Sequence, residues 1–113
     1  MHELSLAESL LQVIEDAARE QQFSRVKTVW LEIGQLACVE QESLRFFFDA
    51  VKADSIARQA RLEIVAIAGQ ARCENCNRNC GIETYHAACP YCGQYALSVT
   101  QGEEMRIKEL EVE

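Results

Sequence analysis

Basic charge is scarce in this 113-residue chain, where 11 Lys and Arg face 18 Asp and Glu for a formal net charge of −7. A nucleic-acid binder needs cations to displace counterions from phosphates, and no stretch here forms a basic stripe. Nucleic acid is therefore not an expected partner. Long apolar runs are also missing. The longest, Ile64 to Ala68, has five residues, against about 20 for a membrane span and about 7–15 for a secretory h-region. No membrane association is expected, and the expected location is cytoplasmic. Proline occurs once and glycine five times, too sparse for a low-complexity or collagen-like chain. The only histidines are His2 and His86. With so few bases for neutral pH, no Ser/His/Asp set and no Gly-rich phosphate loop, the chain does not read as an enzyme.

What is present suits a small globular protein: 49% apolar and 26% charged residues, enough for one compact domain or one domain with a small satellite. Apolar residues at Leu4, Ala7, Leu10, Leu11, Ile14, Ala17 and Ala18 recur at helical spacing, so residues 4–22 are expected to form an amphipathic helix. Ser5 and Glu8 have the form of a capping box at its start. Val26 to Ile33 is rich in β-branched and aromatic residues and stops at Gly34, the pattern of a strand. A second helix is expected over about 41–54, burying Leu44, Phe47, Phe48 and Val51. Leu62 to Ala68 reads as a second strand closed by Gly69. Near the end, Met105 and Ile107 share one face of a third strand, whose alternation slips at Leu110 and Val112.

Six cysteines without an export signal point to metal or redox chemistry rather than disulfides. Cys73-Glu74-Asn75-Cys76 and Cys89-Pro90-Tyr91-Cys92 are two C-x2-C pairs, 12 residues apart. Two cysteines three apart on a tight turn can aim both sulfurs at one centre, and a second such knuckle completes a tetrahedron. Gly93 relieves crowding as the chain turns under the second knuckle. Four thiolates suit zinc, with iron in a rubredoxin-like site the other possibility. Either shell is closed, which makes the metal structural. A redox C-x-x-C belongs near a βαβ pattern, absent here. Cys80 and His86 break the two-knuckle symmetry and read as a partly exposed thiol and a loop histidine, and Cys38 as a small packing group. Residues 70–101 otherwise hold few Leu, Ile or Val, too few to offset their ordering entropy without a metal.

The resulting expectation is an α+β fold: a small mixed sheet of about three strands with two helices, plus an inserted zinc-ribbon-like module held by four cysteines. Residues 1–68 with 102–113 form the α/β domain, and residues 69–101 form the metal-stapled insert.

The N-terminus is the other unusual feature. Met1 is expected to be retained because His2 is large. The Met1 amine, the His2 imidazole and the Glu3 carboxylate then lie within three residues, and nitrogen-rich sites of this kind suit nickel(II) or copper(II). Met-His-Glu-Leu-Ser-Leu at the start resembles the hydrogenase-maturation nickel metallochaperones, the HypA/HybF family. So do Val29-Trp30-Leu31-Glu32-Ile33-Gly34, Cys38-Val39-Glu40, Leu44-Arg45-Phe46-Phe47-Phe48, both knuckles, and Gln101-Gly102-Glu103-Glu104-Met105-Arg106-Ile107. The similarity runs the full length. It implies an α/β lobe that binds Ni(2+) through His2, with Met1, Glu3 and Glu40 as possible accessory ligands. It also implies a smaller lobe that holds structural Zn(2+) through Cys73, Cys76, Cys89 and Cys92. The implied function is delivery of nickel to the [NiFe] hydrogenase large subunit together with a nickel-handling GTPase, some members also serving urease. The competing reading is a zinc-ribbon protein-interaction adaptor without nickel cargo.

Overall fold

The computed structural model describes residues 2–113. Helix α1 covers Glu3–Gln21, strand β1 Val26–Gly34, helix α2 Gln41–Val51 and strand β2 Arg61–Ile67. Short strands β3 (Gln70–Cys73), β4 (Asn79–Gly81) and β5 (Leu97–Gln101) follow, and β6 (Met105–Val112) closes the chain. A single 3₁₀ turn, Gln35–Ala37, links β1 to the approach to α2. One three-stranded sheet has the order β2-β1-β6, so the last strand returns beside the first after the cysteine-rich segment. The second sheet has the order β4-β3-β5, and both of its pairings are antiparallel.

The chain divides into two compact units. The first takes in the residues up to Leu31, Val39–Ile64 and Ile107–Glu113; the second takes in Glu32–Cys38 and Val65–Arg106.

In the first unit, β1 is the middle strand, and its buried residues Val26 and Thr28 on one face and Val29 and Leu31 on the other depart from strict alternation. Burial on both faces is what a covered central strand shows. Thr28, the polar member of the run, donates its hydroxyl to Glu111 Oε1 at 2.8 Å, which meets the cost of desolvating it. Ala7, Leu10 and Ile14 of α1 are buried, as are Leu44 and Phe48 of α2.

The helix boundaries depart from the periodicity in two places. No capping box forms at Ser5 and Glu8. The helix begins earlier, at Glu3, with His2 as the flanking residue and its carbonyl accepting Leu6 N–H at 2.9 Å, so Ser5 and Glu8 lie exposed within the helix body. Leu4 is 43% exposed, while Glu3 takes a buried position in the first turn. Helix α2 ends at Val51, three residues short of expectation, in a run of turns over residues 52–59. That turn is fixed by Lys52, whose Nζ donates to Ala60 O at 2.6 Å.

The second unit has a small core of its own: Leu36, Ala71 and Ile82, with Cys80, Ala87, Leu97 and Val99 packed against it. Three glycines from distant segments meet beside this core. A Cβ on Gly34 would lie 1.9 Å from Gly102 O, one on Gly102 would lie 2.6 Å from Gly69 Cα, and one on Gly69 would lie 2.3 Å from Ile82 O. Gly34 and Gly69, expected only as strand stops, are thus places where main chain passes against main chain. Gly34 N–H to Glu104 O (2.7 Å), Leu36 N–H to Gly102 O (2.8 Å) and Ile82 N–H to Gly69 O (3.0 Å) tie the crossing together.

Candidate metal centre

Strand β3 ends on Cys73, and from there the chain makes its first knuckle. Cys73 N–H donates to Arg78 O at 2.9 Å, and Asn77 N–H donates to Cys73 O at 2.8 Å. The second knuckle repeats this residue for residue: Cys89 N–H to Gln94 O at 2.9 Å and Gly93 N–H to Cys89 O at 2.8 Å. In both, the fourth residue after the leading cysteine carries a positive φ, 61° at Asn77 and 78° at Gly93. Asn and Gly are the residues that adopt this conformation at least cost, so each turn is encoded locally. Gly93 is legible as such in the sequence. Asn77 is its counterpart, and its signal is only its offset from Cys73.

The two turns bring four sulfurs together. Cys73 Sγ lies 3.6 Å from Cys92 Sγ, and Cys76 Sγ lies 3.7 Å from Cys89 Sγ. The ligand atoms of Cys73, Cys76, Cys89 and Cys92 all fall within 4.8 Å of one another. A tetrahedral zinc with Zn–S bonds of about 2.3 Å needs sulfurs about 3.8 Å apart, so the donor set fits such an ion in number, softness and size. Cys73 and Cys89 are buried and Cys76 and Cys92 half-buried.

The environment already separates the thiols. The Asn75 side-chain amide, then Gln94 N–H, hold Cys92 down at about 6 against the effect of burial. Cys92 N–H likewise lowers Cys89. At Cys76 the pull of Arg78 N–H is outweighed by burial and the three neighbouring cysteines, and the thiol is pushed up to about 11. A ligating sulfur must be a thiolate. The fold favours that state at Cys89 and Cys92 and opposes it at Cys76.

Cys80 is half-buried in the small core, and burial is the main cause that raises its thiol. His86 is exposed in a turn. Cys38, expected as a packing group, is instead exposed, with φ 56° after the 3₁₀ turn and its thiol 3.5 Å from Leu36 O. The left-handed backbone that follows the short helix turns its side chain outward.

At the start of α1, the His2 side chain is 53% exposed, and its Nδ1 lies 4.0 Å from Oε2 of Glu3, whose side chain is 9% exposed. Glu40 N–H donates to that same Glu3 oxygen at 3.3 Å and is the main cause holding the carboxyl below the usual carboxylate range. The Glu40 carboxylate points elsewhere, accepting Glu42 N–H at 2.9 Å and Ser43 N–H at 3.3 Å as the cap of α2. Met1 lies outside the described residues. Among the described residues the four cysteines are the one group of three or more metal-ligand side chains brought together, and His2, Glu3 and Glu40 do not form a second.

Comparison with known proteins gives this geometry its context. The family model for HypA, described as hydrogenase/urease nickel incorporation, metallochaperone, matches residues 1–112. The chain belongs to the HypA family. It is 58% identical to the hydrogenase maturation factor HypA of Azotobacter chroococcum mcd 1 over 113 residues, the whole of both chains. It is 57% identical, again over the whole of both, to the protein of the same name from Albidiferax ferrireducens. Its structure is similar to the solution structure of the Ni metallochaperone HypA from Helicobacter pylori, with 26% identity and a TM-score of 0.73 over 99% of this chain and 97% of that one. The family is one of nickel metallochaperones for hydrogenase maturation, which places the chain with the hydrogenase maturation machinery. The α+β architecture, with its cysteine cluster able to hold a metal, agrees with that membership. No helix of the described residues is long and apolar enough to cross a membrane.

Proposed function

We propose that this chain carries Ni(2+) in the cytoplasm and delivers it to the [NiFe] hydrogenase large subunit together with a nickel-handling GTPase, doing no covalent chemistry itself. The supporting observation is the match of a nickel-incorporation family along residues 1–112, in a chain whose two candidate ligand sets differ in kind. Cys73, Cys76, Cys89 and Cys92 would hold Zn(2+), which supplies a structural cross-link to residues 69–101. His2 is the nickel ligand, with the Met1 amine and Glu3 as accessory groups, in the lobe formed by residues 1–68 with 102–113. Glu40 is also an accessory ligand, with its carboxylate oxygens already engaged by the Glu42 and Ser43 N–H groups it caps.

The division suits delivery. A cage of four thiolates retains its ion, whereas an amine, an imidazole and carboxylates at a chain end form a site that gives its ion up. Copper(II) binds such nitrogen donors at least as well as nickel, so selectivity rests on metal supply and on docking to protein partners rather than on affinity. Nucleic acid and membranes are not among those partners.

Isothermal titration with nickel tests the proposal on four proteins: untagged, N-terminally tagged, His2→Ala and His86→Ala. The tag turns the Met1 amine into an amide and should weaken binding markedly. His2→Ala should be more severe, and His86→Ala should match the untagged protein, with zinc content equal in all four. Unchanged nickel affinity in His2→Ala would sink the proposal.

A further inference from the structure

The four sulfurs of the cysteine cluster are not served alike. Cys73 Sγ lies 3.5 Å from Cys76 N–H, and Cys76 Sγ takes Arg78 N–H. Cys89 Sγ takes the N–H groups of Cys92 and Tyr91. Each of these donors is main chain of the same knuckle, and any residue in those turns would supply it. Cys92 Sγ takes Gln94 N–H in the same way, but it also lies 3.4 Å from Nδ2 of Asn75, which reaches across from the other knuckle. Among the described residues this is the one side-chain N–H directed at a cluster sulfur.

The position of Asn75 is determined on both sides. It lies between Cys73 and Cys76, so the first turn fixes its backbone. The preceding residue ties that turn to β5: Glu74 N–H donates to Ala96 O at 2.9 Å, and Glu74 Oε1 accepts the Ser98 hydroxyl at 2.9 Å. The Arg78 guanidinium, 5.0 Å from the centre of the Tyr91 ring, makes a second link between the knuckles that touches no sulfur.

We propose that Asn75 is a positioning residue of the metal centre: its side-chain N–H holds the Cys92 sulfur in place across the two knuckles and governs how firmly the bound metal is retained. This rests on reading the four cysteines as a metal centre. Four thiolates around one divalent ion leave the cluster with two excess negative charges, and an N–H donor directed at a sulfur draws off part of that charge. It also keeps Cys92 from swinging out, since the same hydrogen bond fixes the sulfur against the other knuckle. Hydrogen-bond partners behind the ligands of a metal site commonly change metal affinity by about 10–100-fold when removed. The residue types make the point sharper. Asp in place of Asn keeps the shape, removes both N–H donors and sets a carboxylate against the thiolate.

The test uses cobalt(II) as the probe ion, added to full-length wild-type protein, Asn75→Ala, Asn75→Asp and Arg78→Ala. Two quantities are read: the energy of the sulfur-to-cobalt charge-transfer band, and retention of cobalt against a chelator. Loss of an N–H donor raises the sulfur lone pair, so the band should move to lower energy in both Asn75 variants. Retention should fall by about 10–100-fold in both, with Asn75→Asp the weaker binder. Arg78→Ala removes the guanidinium link to Tyr91 but keeps the main-chain N–H that Cys76 Sγ takes, so it should keep the wild-type band. Wild-type band and retention in both Asn75 variants would overturn the proposal, and so would an equal band shift in Arg78→Ala. If the wild-type protein shows no thiolate band at all, the metal-centre reading falls and the role of Asn75 falls with it.

Discussion

Alanine at Gly34 should destabilise the protein by about 3–5 kcal/mol, for a steric reason rather than a conformational one. Gly34 has φ −73° and ψ 146°, a conformation any residue adopts. The obstacle is its surroundings, since the new methyl would lie 1.9 Å from Gly102 O, 2.1 Å from Gly102 C and 2.7 Å from Glu103 N. All three are main-chain atoms, so no side chain can swing aside. Reaching ordinary separation from the Gly102 oxygen, about 3.4 Å, requires the two segments to part by about 1.5 Å. Forcing a methyl into a tight site costs typically about 1–3 kcal/mol. Parting the segments also sacrifices the hydrogen bonds from Gly34 to Glu104 and from Leu36 to Gly102, about 1 kcal/mol each. Three companion substitutions separate the causes. Gly93→Ala carries only strain, with φ 78° and no atom near the new methyl, and should cost about 1–2 kcal/mol. Gly102→Ala combines φ 113° with a main-chain neighbour at 2.6 Å and should cost at least as much as Gly34→Ala. Gly81→Ala meets nothing nearer than 3.8 Å and should be neutral or stabilising by up to about 1 kcal/mol, because alanine restricts the unfolded chain. Urea unfolding of zinc-loaded protein, followed by far-UV circular dichroism, ranks the four. A cost for Gly34→Ala no greater than that for Gly93→Ala would refute the steric account.

Two further outcomes concern the first unit. Phe48 is fully buried on α2, so Phe48→Ala should lower stability by about 3–5 kcal/mol in the same titration; a smaller loss would mean that the surrounding side chains close the cavity. Lys27 and Glu113 pair at 2.9 Å, their hydrogen bond being the main cause that lowers the Glu113 carboxyl and raises the Lys27 amine. A lowered carboxyl contributes stability above its unfolded pKa of about 4.3 and loses it as pH falls through the folded value; a raised amine contributes below about 10.4 and loses it as pH rises through its own folded value. The pair therefore acts between those limits. Lys27→Met should narrow the stability difference between neutral and acid pH, measured by thermal melts from pH 7 to 3, and an unchanged pH profile would count against the pair.

Much of the architecture was open to reading in one dimension because its causes are local. The apolar positions of α1 and α2 recur at helical spacing, and the β-branched run of β1 stops at a glycine. The two C-x2-C pairs have the separation at which two turns face one centre. What stayed hidden in the cysteine-rich segment is its second sheet. Strands β3, β4 and β5 are three to five residues long, too short for an alternating pattern to rise above the loops between them.

Local pattern also misled where a distant group took over. Ser5 and Glu8 have capping-box form, yet the helix starts at Glu3, where the buried carboxylate receives Glu40 N–H from 37 residues away. Gly34 and Gly69 look like ordinary strand ends, and only the fold reveals that they and Gly102 each pass against another segment's backbone. Cys38 passes for a packing residue until the left-handed turn at its own position exposes it.

The sequence by itself determined the two helices, the strands β1, β2 and β6, the presence of four cysteines in two turns, and the residues at the N-terminus that carry the family resemblance, because these depend on the order and spacing of neighbouring residues. Only the tertiary structure decided that Cys73 Sγ lies 3.6 Å from Cys92 Sγ across the knuckles, that Asn75 directs its side-chain N–H at the Cys92 sulfur, and that the Glu40 carboxylate caps α2 while its N–H holds Glu3. Those arrangements depend on which distant segments meet, and a hydrogen bond or a close approach between them leaves no periodicity in the chain.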